Sequence, residues 1–212
     1  MRRLLRTLLD TFFPRHCIGC RISGTHLCAA CARSIPGCEP IGPAWITAVW
    51  SYKNPLIKKL LWRMKFEHRF AIAHELALYA GEHLAAELAE RAVFENTNDI
   101  VLVPIPLSGG GLRTRGYNQS EILARELART LGGNPVELLL EKPRETGAQH
   151  DAKSRRDRLS NLRGAYRAAP ETADKNILLI DDITTTHATF VEAKRALKAA
   201  GAKSVLAFAI AH

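Results

Sequence analysis

The sequence predicts an α/β protein, a mostly parallel sheet flanked by helices, preceded by a small N-terminal four-cysteine element. Three observations carry that prediction. Apolar strand-like runs alternate with helical patterns along most of the chain, the signature of a parallel sheet covered on both faces. The run Ile177-Leu178-Leu179-Ile180 is continuously apolar, as a strand buried on both sides must be. Four of the five cysteines fall in two Cys-x-x-Cys pairs, Cys17/Cys20 and Cys28/Cys31, with seven residues between the pairs. The natural division is residues 1–40 for an amphipathic helix and the cysteine element, and 41–212 for the α/β domain.

At the N-terminus, Arg2, Arg3 and Arg6 stand beside Leu4, Leu5, Leu8 and Leu9. The apolar run is too short for a signal peptide, is broken by Arg6 and Asp10, and lacks a small-residue cleavage site. Leu5, Leu8, Leu9, Phe12 and Phe13 share one helical face, which reads as a helix docked on its own domain. Shallow membrane contact or a partner interface are the alternatives.

Two Cys-x-x-Cys knuckles can close a tetrahedral four-cysteine Zn2+ site, with Gly19 and Gly24 supplying the tight backbone. A disulfide pairing is the weaker reading, because nothing routes the chain to an oxidising compartment. A redox pair is weaker too, since neither motif follows a βαβ pattern. Cys38, His16 and His26 stay open as substitute ligands. So short an element cannot pack a core of its own. The metal would stabilise it, with zinc-finger peptides gaining about 10–16 kcal/mol.

Pro36 to Pro43 reads as a linker and Trp45 to Tyr52 as a strand. Pro55 to Lys65 is a helix with basic and apolar faces, and Phe70 to Arg91 a long Ala/Leu/Glu-rich helix. Ile100 to Pro106 is a second buried strand ending in a rigid turn. The Gly-rich stretch Gly109 to Gly116 is neither a phosphate-binding P-loop nor a dinucleotide fingerprint. Tyr117 to Leu131 is a helix with Asn118 as N-cap and Glu121 completing a capping box. Val136 to Leu140 and Lys203 to Ala209 are further strands. Between Glu141 and Arg167 the apolar signal drops and Lys142, Arg144, Lys153, Arg155, Arg156, Arg158 and Arg163 make the most basic region of the chain. A cationic flap over pyrophosphate and a solvated loop both fit.

With 47% hydrophobic and 24% charged residues, composition is that of an ordinary globular protein, and no apolar run reaches transmembrane length. A formal charge of +9 favours polyanionic partners: phosphorylated metabolites, nucleic acid or anionic lipid.

The sharpest chemistry lies in Asp181-Asp182-Ile183-Thr184-Thr185-Thr186-His187-Ala188-Thr189. Two carboxylates follow a buried strand, where α/β proteins place ligands, and hydroxyl residues then lead into a helix ending at Gly201. Carboxylates accept hydrogen bonds from vicinal sugar hydroxyls, while N–H groups at a helix start hold phosphate. A plain strand–turn–helix would leave the acidic pair and four threonines as coincidence. This segment resembles the 5-phosphoribosyl-1-pyrophosphate (PRPP) motif of type I phosphoribosyltransferases. One departure stands out, His187 where that family usually has Gly. A Cβ there crowds a tight phosphate loop, or the ring in its cationic form assists the phosphate.

The order of the pieces resembles the ComF/GntX family of bacterial proteins. The resemblance rests on the two Cys pairs, Tyr52-Lys53-Asn54-Pro55-Leu56 through Lys65-Phe66, and Val103-Pro104-Ile105-Pro106 with Arg113. It extends through Arg115-Gly116-Tyr117-Asn118-Gln119, Gln149 with Arg158 and Asn161, and the acidic loop. Only Cys38 is left where many relatives have another cysteine pair. The resemblance implies a PRPP site with Asp181 and Asp182 on the ribose hydroxyls and Thr185, Thr186, His187, Ala188 and Thr189 around the 5-phosphate. Arg115, Asn118 and Gln119 would border the pyrophosphate, with Arg144, Gln149 and Arg158 on a flap and Mg2+ accompanying PRPP.

It implies two functions. One is a cytoplasmic accessory of DNA uptake in natural transformation, at the inner face of the membrane, with single-stranded DNA and other competence proteins as partners. The other is a phosphoribosyltransferase acting on an unidentified small-molecule acceptor. Neither a catalytic base nor an acceptor motif stands out. Single-stranded nucleic acid would be tracked by the flap arginines (Arg155, Arg156 and Arg158), the Lys58/Lys59/Arg63 face and the cysteine element, with little sequence preference, because no array of aromatic stacking residues lies on the basic segments.

Overall fold

The computed structural model of the protein describes residues 15–39, 42–90, 99–143 and 164–212. The N-terminal amphipathic helix and the flap residues Arg144, Gln149 and Arg158 lie outside the described residues, as do Lys153, Arg155, Arg156, Asn161 and Arg163. The cysteine element ends in a short helix, α1 (Ala29–Ser34). Strand β1 (Ile46–Trp50) follows, then α2 (Pro55–Phe66) and α3 (Phe70–Glu90). Next come β2 (Ile100–Pro104), α4 (Gly109–Arg115) and α5 (Gln119–Thr130). The two-residue strands β3 (Leu140–Glu141) and β4 (Arg167–Ala168) precede β5 (Asn176–Ile183), α6 (Ala188–Ala199) and β6 (Ser204–Ala211).

The main sheet runs β1-β6-β5-β2, and every pairing in it is parallel. Residues alternate between its faces, as strand geometry requires. Leu178, Ile180, Leu206, Phe208 and Ile210 pack with α2, α3 and α5, while Ile177, Leu179, Val205, Ala207 and Ala209 pack with α6. After Asn176 and Ser204 at their starts, the central strands β5 and β6 are therefore apolar until β5 reaches Asp181 at its C-terminal end.

Helix α2 starts at Pro55 because proline fits the first helical position and Asn54 caps it, its Oδ1 accepting from Leu56 N (2.9 Å) and Ile57 N (3.3 Å). Its buried stripe is Ile57, Leu60, Leu61 and Met64, the spacing of one helix face.

One stretch that the sequence left unassigned is a helix, and one expected strand changes. The Gly-rich stretch forms helix α4, because Ser108 Oγ caps Gly111 N (3.2 Å) and Gly116 closes it at φ 78°. The segment from Val136 is not one continuous strand. Val136 bridges Leu102 in parallel, whereas Leu140–Glu141 turn away to pair antiparallel with β4.

Candidate functional site

At the cysteine element, the four sulfurs of Cys17, Cys20, Cys28 and Cys31 lie within 4.8 Å of one another. Cys28 N donates to Cys17 Sγ at 3.5 Å. Burial raises the Cys17 thiol pKa, but backbone N–H groups of Cys20, Cys28 and Gly19 outweigh it and bring the value down to about 6. Cys31, hydrogen-bonded to the Cys28 thiol, is pushed up to about 12. Four sulfurs this close cannot all ionise without a shared cation, and a tetrahedral thiolate set fits Zn2+. A Cβ on Gly19 would stand 2.7 Å from Cys31 Sγ, so glycine there lets the knuckle close. Cys38, His16 and His26 are outside the cluster: Cys38 Sγ donates to the Glu39 carbonyl, and His26 is buried.

The element is fastened to the sheet domain through α3. The carboxylate of buried Glu75 accepts from Leu27 N at 2.6 Å and from His26 N at 2.9 and 3.1 Å.

At the C-terminal end of β5, the strand alternation turns the two carboxylates to different neighbours. Asp181 Oδ1 accepts from Ser120 Oγ (2.8 Å) and from Asp182 N (2.9 Å). Burial, followed by the Asp182 charge, lifts the Asp181 carboxyl pKa from its ordinary value to about 7. Lys142 and Tyr166, from the ends of the β3–β4 hairpin, complete its surroundings. Lys142 Nζ stands 5.6 Å from the Tyr166 ring centre, and its pKa is lowered by burial against the Asp181 charge. The Tyr166 hydroxyl hydrogen-bonds the Thr189 side chain, and burial raises its pKa.

Asp182 is buried and faces α2 and α5. Lys65 Nζ lies 2.5 Å from its Oδ2, an ion pair without hydrogen-bond alignment. Gln119 Nε2 reaches Oδ1 at 3.5 Å, and Gln119 Oε1 accepts from Arg115 at 2.5 Å. Arg115, Gln119, Asp182 and Lys65 thus form one connected polar network. Asn118 serves the loop itself, its Nδ2 donating to Ile105 O (3.0 Å) and its Oδ1 accepting from Ser120 N (3.1 Å).

Helix α6 opens at His187 with no side-chain cap, so the N–H groups of Ala188, Thr189 and Phe190 begin the helix without a preceding helical carbonyl. His187 takes φ 59°, the left-handed conformation that favours glycine. It holds that conformation with its ring buried: Nδ1 is 3.1 Å from Thr184 Oγ1, and the ring stacks on His212 at 5.1 Å. The ring also lies under Gly42, where a Cβ would come within 2.6 Å of Nε2. Thr185 is exposed and Thr186 half-buried beside it. His212 Nε2 lies 3.1 Å from the Thr185 carbonyl oxygen.

The structure therefore brings Asp181, Asp182, Arg115, Gln119 and the 185–189 loop to one end of the sheet. Sequence reasoning had no role for Ser120, Tyr166 or Lys65. Of these only Lys65 carried a signal, as the end of the Lys65-Phe66 run.

The family model of the phosphoribosyl transferase domain matches residues 73–211. Competence protein F of Haemophilus influenzae is 27% identical over 95% of this chain and 98% of its own length. DNA utilization protein YhgH of Salmonella typhimurium is 30% identical over 89% of this chain and 80% of its own. Competence protein ComFC of Streptococcus pneumoniae is 32% identical over 77% and 66%. With the cysteine cluster ahead of that domain, the chain belongs to the phosphoribosyltransferase domain family and, within it, to the ComF/GntX group.

Proposed function

We propose that the protein is a PRPP-binding accessory of DNA uptake, a reading supported by relatives named as competence proteins and as a DNA utilization protein. The observation that carries the reading is the acidic pair at the end of β5 beside the open N-terminus of α6. Asp181 and Asp182 accept the ribose hydroxyls. The N–H groups of residues 186–189, with the Thr185 and Thr186 hydroxyls, receive the 5-phosphate. His187 contributes its backbone, since its ring is occupied by Thr184 and His212. Arg115 and Gln119 border the pyrophosphate on the β2 side, with Asn118 shaping their loop. Arg144, Gln149 and Arg158 serve the flap. Mg2+ would accompany PRPP, held beside the Asp181 and Asp182 carboxylates, and would supply neutralisation of the pyrophosphate charge. Single-stranded DNA is the macromolecular partner, bound by the basic surface, and the protein works in the cytoplasm at the inner face of the membrane. Among the described residues no helix is long and apolar enough to cross a membrane.

A second reading, phosphoribosyl transfer, is favoured by one feature. A cavity of about 620 Å³ opens beside Thr185 and His212, lined by Tyr52, Lys53 and Lys58. It lies on the β6 side, opposite Arg115 and Gln119, where an acceptor must stand to displace pyrophosphate in line. The bond from anomeric carbon to pyrophosphate breaks as the acceptor bond forms, and the acceptor's proton leaves to solvent.

Calorimetry with Mg-PRPP tests the site. Asp181→Asn/Asp182→Asn should weaken binding more than about tenfold, because charge-assisted hydrogen bonds are lost. Equal affinity in wild type and double variant refutes the assignment. Pyrophosphate release by the same sample would establish the enzyme reading.

A further inference from the structure

Helix α2 presents a face that the phosphoribosyl site does not use. With Ile57, Leu60, Leu61 and Met64 turned to the core, Trp62 and Phe66 stand 52% and 56% exposed, their ring centres 5.7 Å apart. Phe70, at the start of α3, is 44% exposed and meets Tyr117 edge-on at 4.8 Å. Cations flank these rings. The Arg115 guanidinium sits 5.4 Å from the Phe66 ring centre. One turn back, Lys59 and Arg63 join His16 and Arg21 of the zinc knuckle around a cavity of about 420 Å³. Glu67 forms ion pairs of 3.8 Å with both Arg63 and Arg69, long contacts that leave each guanidinium largely uncompensated. Rings and cations therefore alternate from the knuckle to Arg115, at the mouth of the acidic site.

We propose that this face of α2 is a binding track for single-stranded nucleic acid. Trp62 and Phe66 stack on bases, and the knuckle cavity, through Arg21, Lys59 and Arg63, holds backbone phosphate. Every base has a π-face, so exposed rings recognise strands whose bases are not hidden in a duplex. The charge decides between occupants. A protein partner docking on apolar rings gains little from cations threaded among them, whereas a polyanion gains from each, and the chain's formal charge is +9. The track corrects the expectation that no aromatic array accompanies the basic segments. Trp62 and Phe66 are four residues apart in the basic helix itself, which sets them on one exposed face. This inference rests on the nucleic-acid part of the proposed function and adds to it a location and a mode.

Fluorescence anisotropy with a labelled oligothymidylate of about 20 nucleotides tests it, beside oligouridylate and a duplex of the same length. Trp62→Ala/Phe66→Ala should weaken oligothymidylate binding about tenfold or more with the salt slope unchanged, since stacking contributes about 1–3 kcal/mol per base. Arg21→Ala/Lys59→Ala/Arg63→Ala should instead flatten the slope by roughly two units, at about 0.7 per phosphate contact. Wild-type zinc content and an unchanged far-UV circular dichroism spectrum in the double and the triple variant show that both are folded. Oligouridylate binding within a few fold of oligothymidylate supports stacking, and a duplex bound as tightly as the single strand overturns it. Undiminished binding in both variants overturns the track alone. No binding by wild type at about 50 mM salt refutes the nucleic-acid reading itself. Sedimentation showing a wild-type dimer that Trp62→Ala dissociates would make the face a self-interface and end the proposal.

Discussion

Asp181 is the residue whose protonation should govern the site. Its carboxyl is lifted to about 7 by burial first and the Asp182 charge second, with the Ser120 hydroxyl acting against them. A raised acid holds its proton in the native protein after the unfolded chain has released it. The stability it contributes is complete below about pH 4 and is lost as pH rises through about 7. Binding runs the other way, because hydroxyl groups of a ligand need the anionic carboxylate as acceptor. Mg-PRPP affinity should therefore rise between pH 6 and pH 8. Asp181→Asn should flatten the pH dependence of Tm and weaken binding at both pH values. A wild-type Tm that climbs steadily from pH 5 to pH 7, with no difference in the Asn variant, would exclude this role for Asp181. His187 shows how far a single residue could be read. Its place in the motif marked a position that glycine usually occupies, and φ 59° bears out the need for left-handed backbone. The stacking of its ring on His212 is invisible in the sequence, because the partner comes from the end of β6.

Among the elements, the cysteine knuckles were legible from spacing alone, since two Cys-x-x-Cys pairs leave few ways to place four sulfurs. Their attachment was not, because Glu75 sits in an Ala/Leu/Glu-rich helix where carboxylates ordinarily face water. Here it is buried and collects the N–H groups of His26 and Leu27, tying α3 to the turn before Cys28. Removing it orphans both donors. Glu75→Ala should cost about 3 kcal/mol in urea unfolding at saturating zinc, and Glu75→Gln, which keeps one oxygen acceptor, clearly less. Identical losses in the two variants would show that packing, not acceptance, is what Glu75 supplies. Helix α5 with its Asn118 cap was legible for the opposite reason, being a local signal that needs no distant partner. The single Val136 bridge and the turn into β3 depend on neighbouring strands and could not be read locally.

Over the whole molecule, the apolar rhythm of β2, β5 and β6 sufficed to predict a parallel sheet with the acidic pair at the carboxyl end of β5. What it could not show is how tightly the cysteine element joins that sheet. Leu27, Ala32 and Ile35 belong to the same core as Ile57, Leu60, Leu76 and Phe208, with no apolar boundary between them. Elements that share one core unfold together, so metal loss should reach past the knuckles. Cys28→Ser removes one of four sulfurs and with it most of the metal's hold on the turn that carries Leu27. The variant should melt in a single transition at a lower temperature than wild type, with the helical signal of α2 and α3 lost in that same step. Chelation of the wild-type protein should produce the same curve. Elemental analysis should find one zinc per wild-type chain. Two separate transitions, the later one unchanged from wild type, would show instead that the sheet domain stands without the element, and would make the shared core incidental to stability.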